Sequence, residues 1–237
     1  MECHFNPNSE TDQCIVLDLD ETLVHSQENF ASLAQTSLLT NPKYYPVRDR
    51  VYSFTIVDPV TRVGEGQKVE IWGVERPDLR KFINFCCRHF RITAVWSAGR
   101  YRYVHAIVNN VIFKGSKCFP GTVFTYDDCS NYRGKLVKQL SKMFKHSCLQ
   151  NHMRPSNTFV IDDRESTFTR NLGNGVLIPE YLPNPAGNTN IMPDTVLNDR
   201  DNALTLLMAW FMKPNVKEAP DVRSLNKSDI FMRYNRP

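Results

Sequence analysis

Asp18 and Asp20 stand two residues apart at the end of an apolar run, Cys14-Ile-Val-Leu-Asp-Leu-Asp20. Two carboxylates held that close repel unless a cation sits between them or one takes a proton. A hard cation such as Mg²⁺ suits them, because it takes a few carboxylate oxygens and keeps its other positions for water and substrate phosphate. A carboxylate can also attack phosphorus and carry the phosphoryl group as an acyl phosphate. That attack needs the phosphoryl oxygens neutralised, and a hydroxyl, a lysine and a cation are the tools for it. The chain offers each at a comparable place. Phe90-Arg-Ile-Thr-Ala-Val-Trp96 runs into Ser97, and Thr158-Phe-Val-Ile161 runs into Asp162 and Asp163. A basic segment between them carries Lys135, Lys138, Lys142 and Lys145, lysines that could equally form a solvated face.

Short apolar runs of this kind read as parallel strands buried on both faces. Strands are expected at 14–20, 90–96, 122–124, 158–161 and 175–178. Helices are expected from Arg76 to Cys86, over 102–111, over 134–145 as a basic amphipathic helix, and over 202–212. Strands alternating with helices predict an open parallel α/β sheet, whose ligands gather at the C-terminal ends of the strands. Those ends carry Asp18 and Asp20, then Ser97, then Asp162 and Asp163. Between the first and second strands, 51–57 and 67–72 alternate around a turn-rich stretch, 58–66, and predict an antiparallel hairpin. The stretch 27–50 reads as loop. Trp72, Trp96 and Trp210 read as core. Tyr44, Tyr45, Tyr52 and Phe54 are the aromatic candidates for a peptide-facing pocket.

The chain has 237 residues, 41% of them hydrophobic, which excludes disorder over most of its length. A net charge of +4 is too mild to call for nucleic acid. No stretch approaches the roughly eighteen apolar residues of a membrane span, and no secretory h-region is visible near the start. The seven cysteines are scattered and odd in number, so free buried thiols in a reducing, intracellular setting, nuclear or cytoplasmic, are expected. Cys148 and His152 have a ligand-like spacing but no second pair near them in sequence, so a structural zinc site is not expected.

The string Leu17-Asp-Leu-Asp-Glu-Thr-Leu-Val-His-Ser26 resembles the signature of the phosphatases that act on the RNA polymerase II C-terminal domain (CTD), a branch of the haloacid dehalogenase superfamily. Four further segments resemble that family in the right order. They are Glu75-Arg-Pro-Asp-Leu-Arg-Lys-Phe82, Val95-Trp-Ser-Ala-Gly99, Arg133-Gly-Lys-Leu-Val-Lys-Gln-Leu140 and Val160-Ile-Asp-Asp-Arg164. Asp221-Val-Arg-Ser-Leu225 is similar to the family's ending. The sequence departs at Tyr126-Asp-Asp-Cys129, where small CTD phosphatases carry Arg in place of Tyr126.

The resemblance implies one domain over 12–225 with a Rossmann-like haloacid dehalogenase core. It also implies a small β-hairpin insertion at about 44–74, with terminal arms at 1–11 and 226–237. It implies Asp18 as nucleophile and Asp20 as general acid, then base. It implies Ser97 and Lys138 on the phosphate and Thr22 supporting the loop. Mg²⁺ would be held by Asp18, the Asp20 main chain and a fourth-motif carboxylate. Asp163 is favoured there, with Asp162 as its orienting partner; which of the two binds directly stays open. The expected substrate is a phosphoserine or phosphothreonine protein, the polymerase tail being one candidate. Without a large cap domain, the open site suits a peptide chain. Two other readings stand beside it: a silent phosphopeptide-binding or scaffold module, and a phosphatase for a small metabolite.

Overall fold

A computed structural model describes residues 3–58, 66–116, 118–184, 186 and 188–237. Its strands are β1 (Cys14–Leu17), β2 (Val24–Glu28), β3 (Val51–Asp58), β4 (Gln67–Glu75), β5 (Ile92–Trp96), β6 (Val123–Phe124), β7 (Ser130–Tyr132), β8 (Lys135–Val137), β9 (Thr158–Asp162) and β10 (Gly175–Leu177). Its α-helices are α1 (Phe30–Thr36), α2 (Leu79–His89), α3 (Tyr101–Ile107), α4 (Ser141–Phe144), α5 (Pro193–Leu197), α6 (Ala203–Phe211) and α7 (Pro214–Lys217).

The main sheet has the order β10-β9-β1-β5-β6 and is parallel throughout. β1 is central because both of its faces are covered. Ile15 and Leu17 pack with Phe82, Phe85, Leu207 and Phe211 of α2 and α6. Cys14 and Val16 pack with Leu140, Met143 and Leu149 on the other side. That two-sided burial is why the run is apolar at every position. The chain leaves β1 for β5 on one side and returns to β9 on the other, so β1 is a topological switch point. Leu17 pairs with Val95 and with Ile161, which brings Asp18, Ser97 and Asp162 to one edge.

α2 buries Leu79, Phe82, Ile83 and Cys86, the stripe that its spacing predicts. Trp72, Trp96 and Trp210 are core residues, as read from the sequence. A second, antiparallel sheet has the order β2-β4-β3. The hairpin is present, and the turn expected within it lies mainly at 59–65, outside the described residues. The stretch 27–50 is not loop. It holds the end of β2, then α1, then a 3₁₀ segment over Pro42–Arg50. β2 is paired at full length with β4, a non-local partner that local periodicity does not report.

The helix expected over 134–145 is also corrected. β7 and β8 form a hairpin whose two loop residues, Arg133 (φ 53°) and Gly134 (φ 78°), are both left-handed, as a tight primed turn requires. Asn131 Oδ1 accepts the Gly134 N–H at 3.0 Å and closes it. Only Ser141–Phe144 is helical.

The cysteines differ from expectation as well. Cys3 pairs with Cys148 and Cys87 with Cys118, each at a Cα separation of 6.0 Å. Cys14 and Cys86 are free and buried, and Cys129 is free and half-buried. The first pair is 145 residues apart in sequence, so only chain packing brings it together. The tail wraps an edge of the core, with Val222 and Ile230 buried and the Tyr234 hydroxyl donating to Asp201 Oδ2 at 2.8 Å.

Candidate active site

The turn after β1 is built around one carbonyl. Leu19 O accepts the N–H groups of Thr22, Leu23 and Val24 at 3.3, 2.8 and 3.1 Å. Glu21 takes a left-handed conformation (φ 56°) to close it, a strained choice for a residue with a Cβ. This turn holds Asp18 on one side and Asp20 on the other. Arg76, fully buried between β4 and α2, fixes it from behind. Its guanidinium donates to Thr22 O at 2.9 Å and to Pro179 O at 2.8 Å, and grips Asp201 at 2.9 and 2.8 Å. Both side chains of that pair are fully buried.

Lys138 enters from the segment after β8. Its main chain is tied down, with its N–H on Thr167 O at 2.6 Å and its carbonyl on Asn171 Nδ2 at 2.9 Å. Its ammonium bonds Asp18 Oδ1 and, at 2.6 Å, Asp162 Oδ2. Burial alone would lower the Lys138 pKa, but the two carboxylates outweigh it and hold the ammonium charged. Burial pushes Asp18 upward against the pull of Lys138, with Asp162 and Asp20 adding repulsion. Carboxylate oxygens of Asp18, Asp162 and Asp163 lie within 4.8 Å of one another. Three acids around one ammonium leave negative charge in excess, the condition a divalent cation relieves.

Asp162 is already engaged at both oxygens, because Oδ1 accepts the Arg164 N–H at 2.9 Å. Asp163 is held more loosely. Thr22 Oγ1 donates to its Oδ1 at 3.2 Å, and Arg164 Nε lies 3.4 Å from Oδ2. Burial, helped by Asp162, pushes the Asp163 pKa up to about 6. The donor set therefore fits a hard cation: oxygen-only, crowded and under-neutralised.

Asp20 faces a different neighbourhood. The Tyr103 hydroxyl donates to Oδ1, and Ser97 Oγ lies 3.5 Å from Oδ2. Burial raises its pKa to about 6, and the Tyr103 bond holds it from going higher. Ser97 is buried, and its Oγ also accepts the Gly99 N–H at 2.9 Å. Behind Tyr103, Ser26 Oγ bonds the hydroxyls of Tyr103 and Tyr52 at 2.6 and 2.7 Å. Gly73 makes room for this: a Cβ there would stand 2.4 Å from the Tyr52 hydroxyl oxygen. The chain Tyr52–Ser26–Tyr103–Asp20 thus couples the insertion sheet to the acid.

A groove of about 520 Å³ opens beside Asp20, with Ser26, Arg100 and Tyr103 on its polar side and Ile56, Val69 and Ile71 as an apolar wall. Those wall residues come from β3 and β4. Of the aromatics singled out in the insertion, none lines the groove: Tyr52 is buried and Tyr45 is exposed. A larger cavity of about 730 Å³ beside Phe5, Arg88 and Phe119 contains no carboxylate.

The structure thus gathers Asp18, Lys138, Asp162, Asp163 and Thr22 in one network and Asp20 with Ser97 in an adjoining one. Sequence reasoning missed Arg76 and Tyr103. Arg76 lay inside a noted motif without a role. Tyr103 sits six residues after Ser97, on α3, with no local mark of its function.

The family model of the NLI interacting factor-like phosphatases matches residues 13–223. The chain belongs to that family. A curated relative, the CTD small phosphatase-like protein 1 of Caenorhabditis elegans, is 22% identical over 180 residues, covering 76% of this chain and 30% of the relative. The fold is similar to that of fission yeast RNA polymerase II CTD phosphatase Fcp1-R271A bound to beryllium fluoride. There the TM-score is 0.58 at 20% identity, covering 85% of this chain and 52% of that one. It is also similar to a structure of Fcp1, an essential RNA polymerase II CTD phosphatase, with TM-score 0.59 at 19% identity, covering 92% and 59%. The chain therefore spans only about a third to three-fifths of the length of these relatives. The expected family and its α/β core hold. Among the described residues, no helix is long and apolar enough to cross a membrane.

Proposed function

We propose that the chain is a Mg²⁺-dependent protein serine/threonine phosphatase of the CTD type, working through an aspartyl-phosphate. The observation that carries this reading is the grip of one buried ammonium on Asp18 and Asp162, with Asp163 beside them and Asp20 in a separate, proton-bearing environment. The two aspartates have different tasks because their surroundings differ.

Asp18 attacks phosphorus. Lys138 and Ser97 bind the phosphoryl oxygens as charge builds on them. Asp20, with a pKa near 6, gives its proton to the departing serine oxygen and later takes one from the water that cleaves the acyl phosphate. Asp18, the Asp20 main-chain carbonyl and Asp163 would hold Mg²⁺, while Asp162 keeps Lys138 aligned. The cation supplies charge neutralisation at the phosphoryl group. Thr22 positions Asp163. Beryllium fluoride in the similar fission yeast structure, having the shape of a phosphoryl group, supports chemistry of this kind.

The groove beside Asp20 supports a protein substrate. Its apolar wall would receive the residue next to the phosphoserine, and its open form admits an extended chain. Phosphorylated polymerase tails, and with them a nuclear setting, follow from the relatives' names and are part of the proposal. The test is phosphate release from Ser-Pro phosphopeptides with Mg²⁺, abolished by EDTA. Equal turnover by the wild type and Asp18→Asn would overturn the covalent route. A panel in which sugar phosphates outrun phosphopeptides would overturn the substrate class.

A further inference from the structure

Two cysteine pairs sit on opposite sides of a contrast. Their Cα separations are the same, 6.0 Å. Beside Cys87 and Cys118, Ser116 Oγ lies 3.9 and 3.7 Å from the sulfurs. Around Cys3 and Cys148, an imidazole is aimed at the sulfur: His146 Nδ1 lies 3.1 Å from Cys148 Sγ. The three donor atoms of Cys3, His146 and Cys148 all lie within 4.8 Å of one another.

The local fold prepares this grouping. His146 and Cys148 share one tight turn, closed by the Leu149 and Gln150 N–H groups on His146 O at 2.9 and 3.0 Å. Leu149 and Met153 are buried and anchor the turn to the core. The His146 ring packs edge-on against Phe124 at 5.9 Å, which limits its rotation. Cys3 arrives on the N-terminal segment, which is fixed by Asn6 N–H on Arg91 O at 2.9 Å and by Phe5 stacking on His152 at 4.8 Å.

We infer that Cys3, His146 and Cys148 of the reduced chain form a zinc site that clamps the N-terminal segment to the loop before β9. Two sulfurs and an imidazole nitrogen are a soft, borderline donor set suited to Zn²⁺ and unsuited to Mg²⁺. Tetrahedral Zn²⁺, with Zn–S near 2.3 Å and Zn–N near 2.0 Å, needs ligand-to-ligand edges of about 3.5–3.8 Å. A shift of a few tenths of an ångström in this turn would open the 3.1 Å contact of His146 with Cys148 to that edge, and reduction frees the two sulfurs to move apart to theirs. The fourth position falls to water or a further donor. Binding converts two thiols to thiolates and releases two protons to solvent. The same two sulfurs joined as a disulfide bind no metal, so the states exclude each other. No residue of the carboxylate site takes part, and the inference stands apart from the phosphatase reading.

The test uses the full chain, reduced with a phosphine, freed of metal and titrated with Co²⁺. We expect one Co²⁺ per chain with thiolate-to-cobalt charge-transfer absorption, abolished by Zn²⁺ and untouched by Mg²⁺. Zn²⁺ should also raise the melting temperature of the reduced chain. Cys3→Ser and Cys148→Ser should each lose the absorption, and His146→Ala should weaken binding roughly tenfold or more. Cys87→Ser should keep it. A reduced wild type without that absorption overturns the site, whatever the variants do. Full absorption in Cys3→Ser overturns the assignment of its ligands.

Discussion

The two sheets of this molecule carry different kinds of chemistry. The parallel sheet is apolar through its thickness and gathers buried charge at its C-terminal edge, where Lys138 binds Asp18 and Asp162 with Asp163 beside them. The antiparallel insertion delivers hydroxyls and an apolar wall, through Ser26, Tyr52, Ile56, Val69 and Ile71. Buried strands hold like charges a few ångströms apart because their packing resists relaxation. A half-exposed sheet cannot do that, but it can shape a surface for a second chain. Under the proposed function, reaction is placed by one sheet and recognition by the other, with Tyr103 between them.

Breaking the first half of the comparison should have the largest effect. Asp18→Asn removes the proposed nucleophile and should lower kcat by roughly a thousandfold or more, with the fold intact by circular dichroism. Next comes the support behind the turn after β1. Arg76→Ala leaves Asp201 buried without its partner, and should cost about 3–5 kcal/mol of stability in urea unfolding.

Asp163 sharpens the electrostatic side. Its folded pKa of about 6 lies above the ordinary 3.8, so its stabilising contribution is present at low pH and is lost as pH rises through about 6. In metal-free protein, Asp163→Asn should therefore gain in melting temperature on the wild type between pH 4.5 and 7.5. Added Mg²⁺ should reverse that order at pH 7.5 by stabilising only the wild type.

At the junction, the proposed mechanism has Asp20 enter the first step protonated, so kcat/KM should fall as pH rises through about 6. Tyr103→Phe removes the donor that holds this pKa down. The limb should move to higher pH, at a cost of about tenfold or less in rate. The smallest effect belongs to the groove. Ile56→Ser should raise KM for a phosphopeptide by about fivefold, the worth of roughly one kcal/mol of apolar contact, and leave an aryl phosphate unaffected. Equal losses on both substrates would place recognition elsewhere.

The same division governs what could be read in advance. β1, β5 and β9 were legible because strands buried on both faces are built mainly of apolar residues, and the edge strand β10 because its short run is apolar too. The insertion was half legible. The alternation of β3 and β4 marked the hairpin, while β2 and α1 were hidden in a stretch of poor periodicity. The segment around Lys138 misled in the opposite direction. Its apolar spacing fits a helix, but the Arg133-Gly134 turn wins locally and docking against Thr167 and Asn171 holds the result.

The sequence by itself determined which groups stand at strand ends and in what order, and so the family and the class of reaction expected. Those features depend on neighbours along the chain, and local spacing records them. Only the tertiary structure decided that β1 lies between β5 and β9, that Tyr103 caps Asp20, that Arg76 backs the turn, and that Cys3 meets His146 and Cys148. Each of these joins residues far apart in the chain. They follow from which buried surfaces and which polar partners satisfy one another in the folded core, and a linear pattern carries no record of that choice.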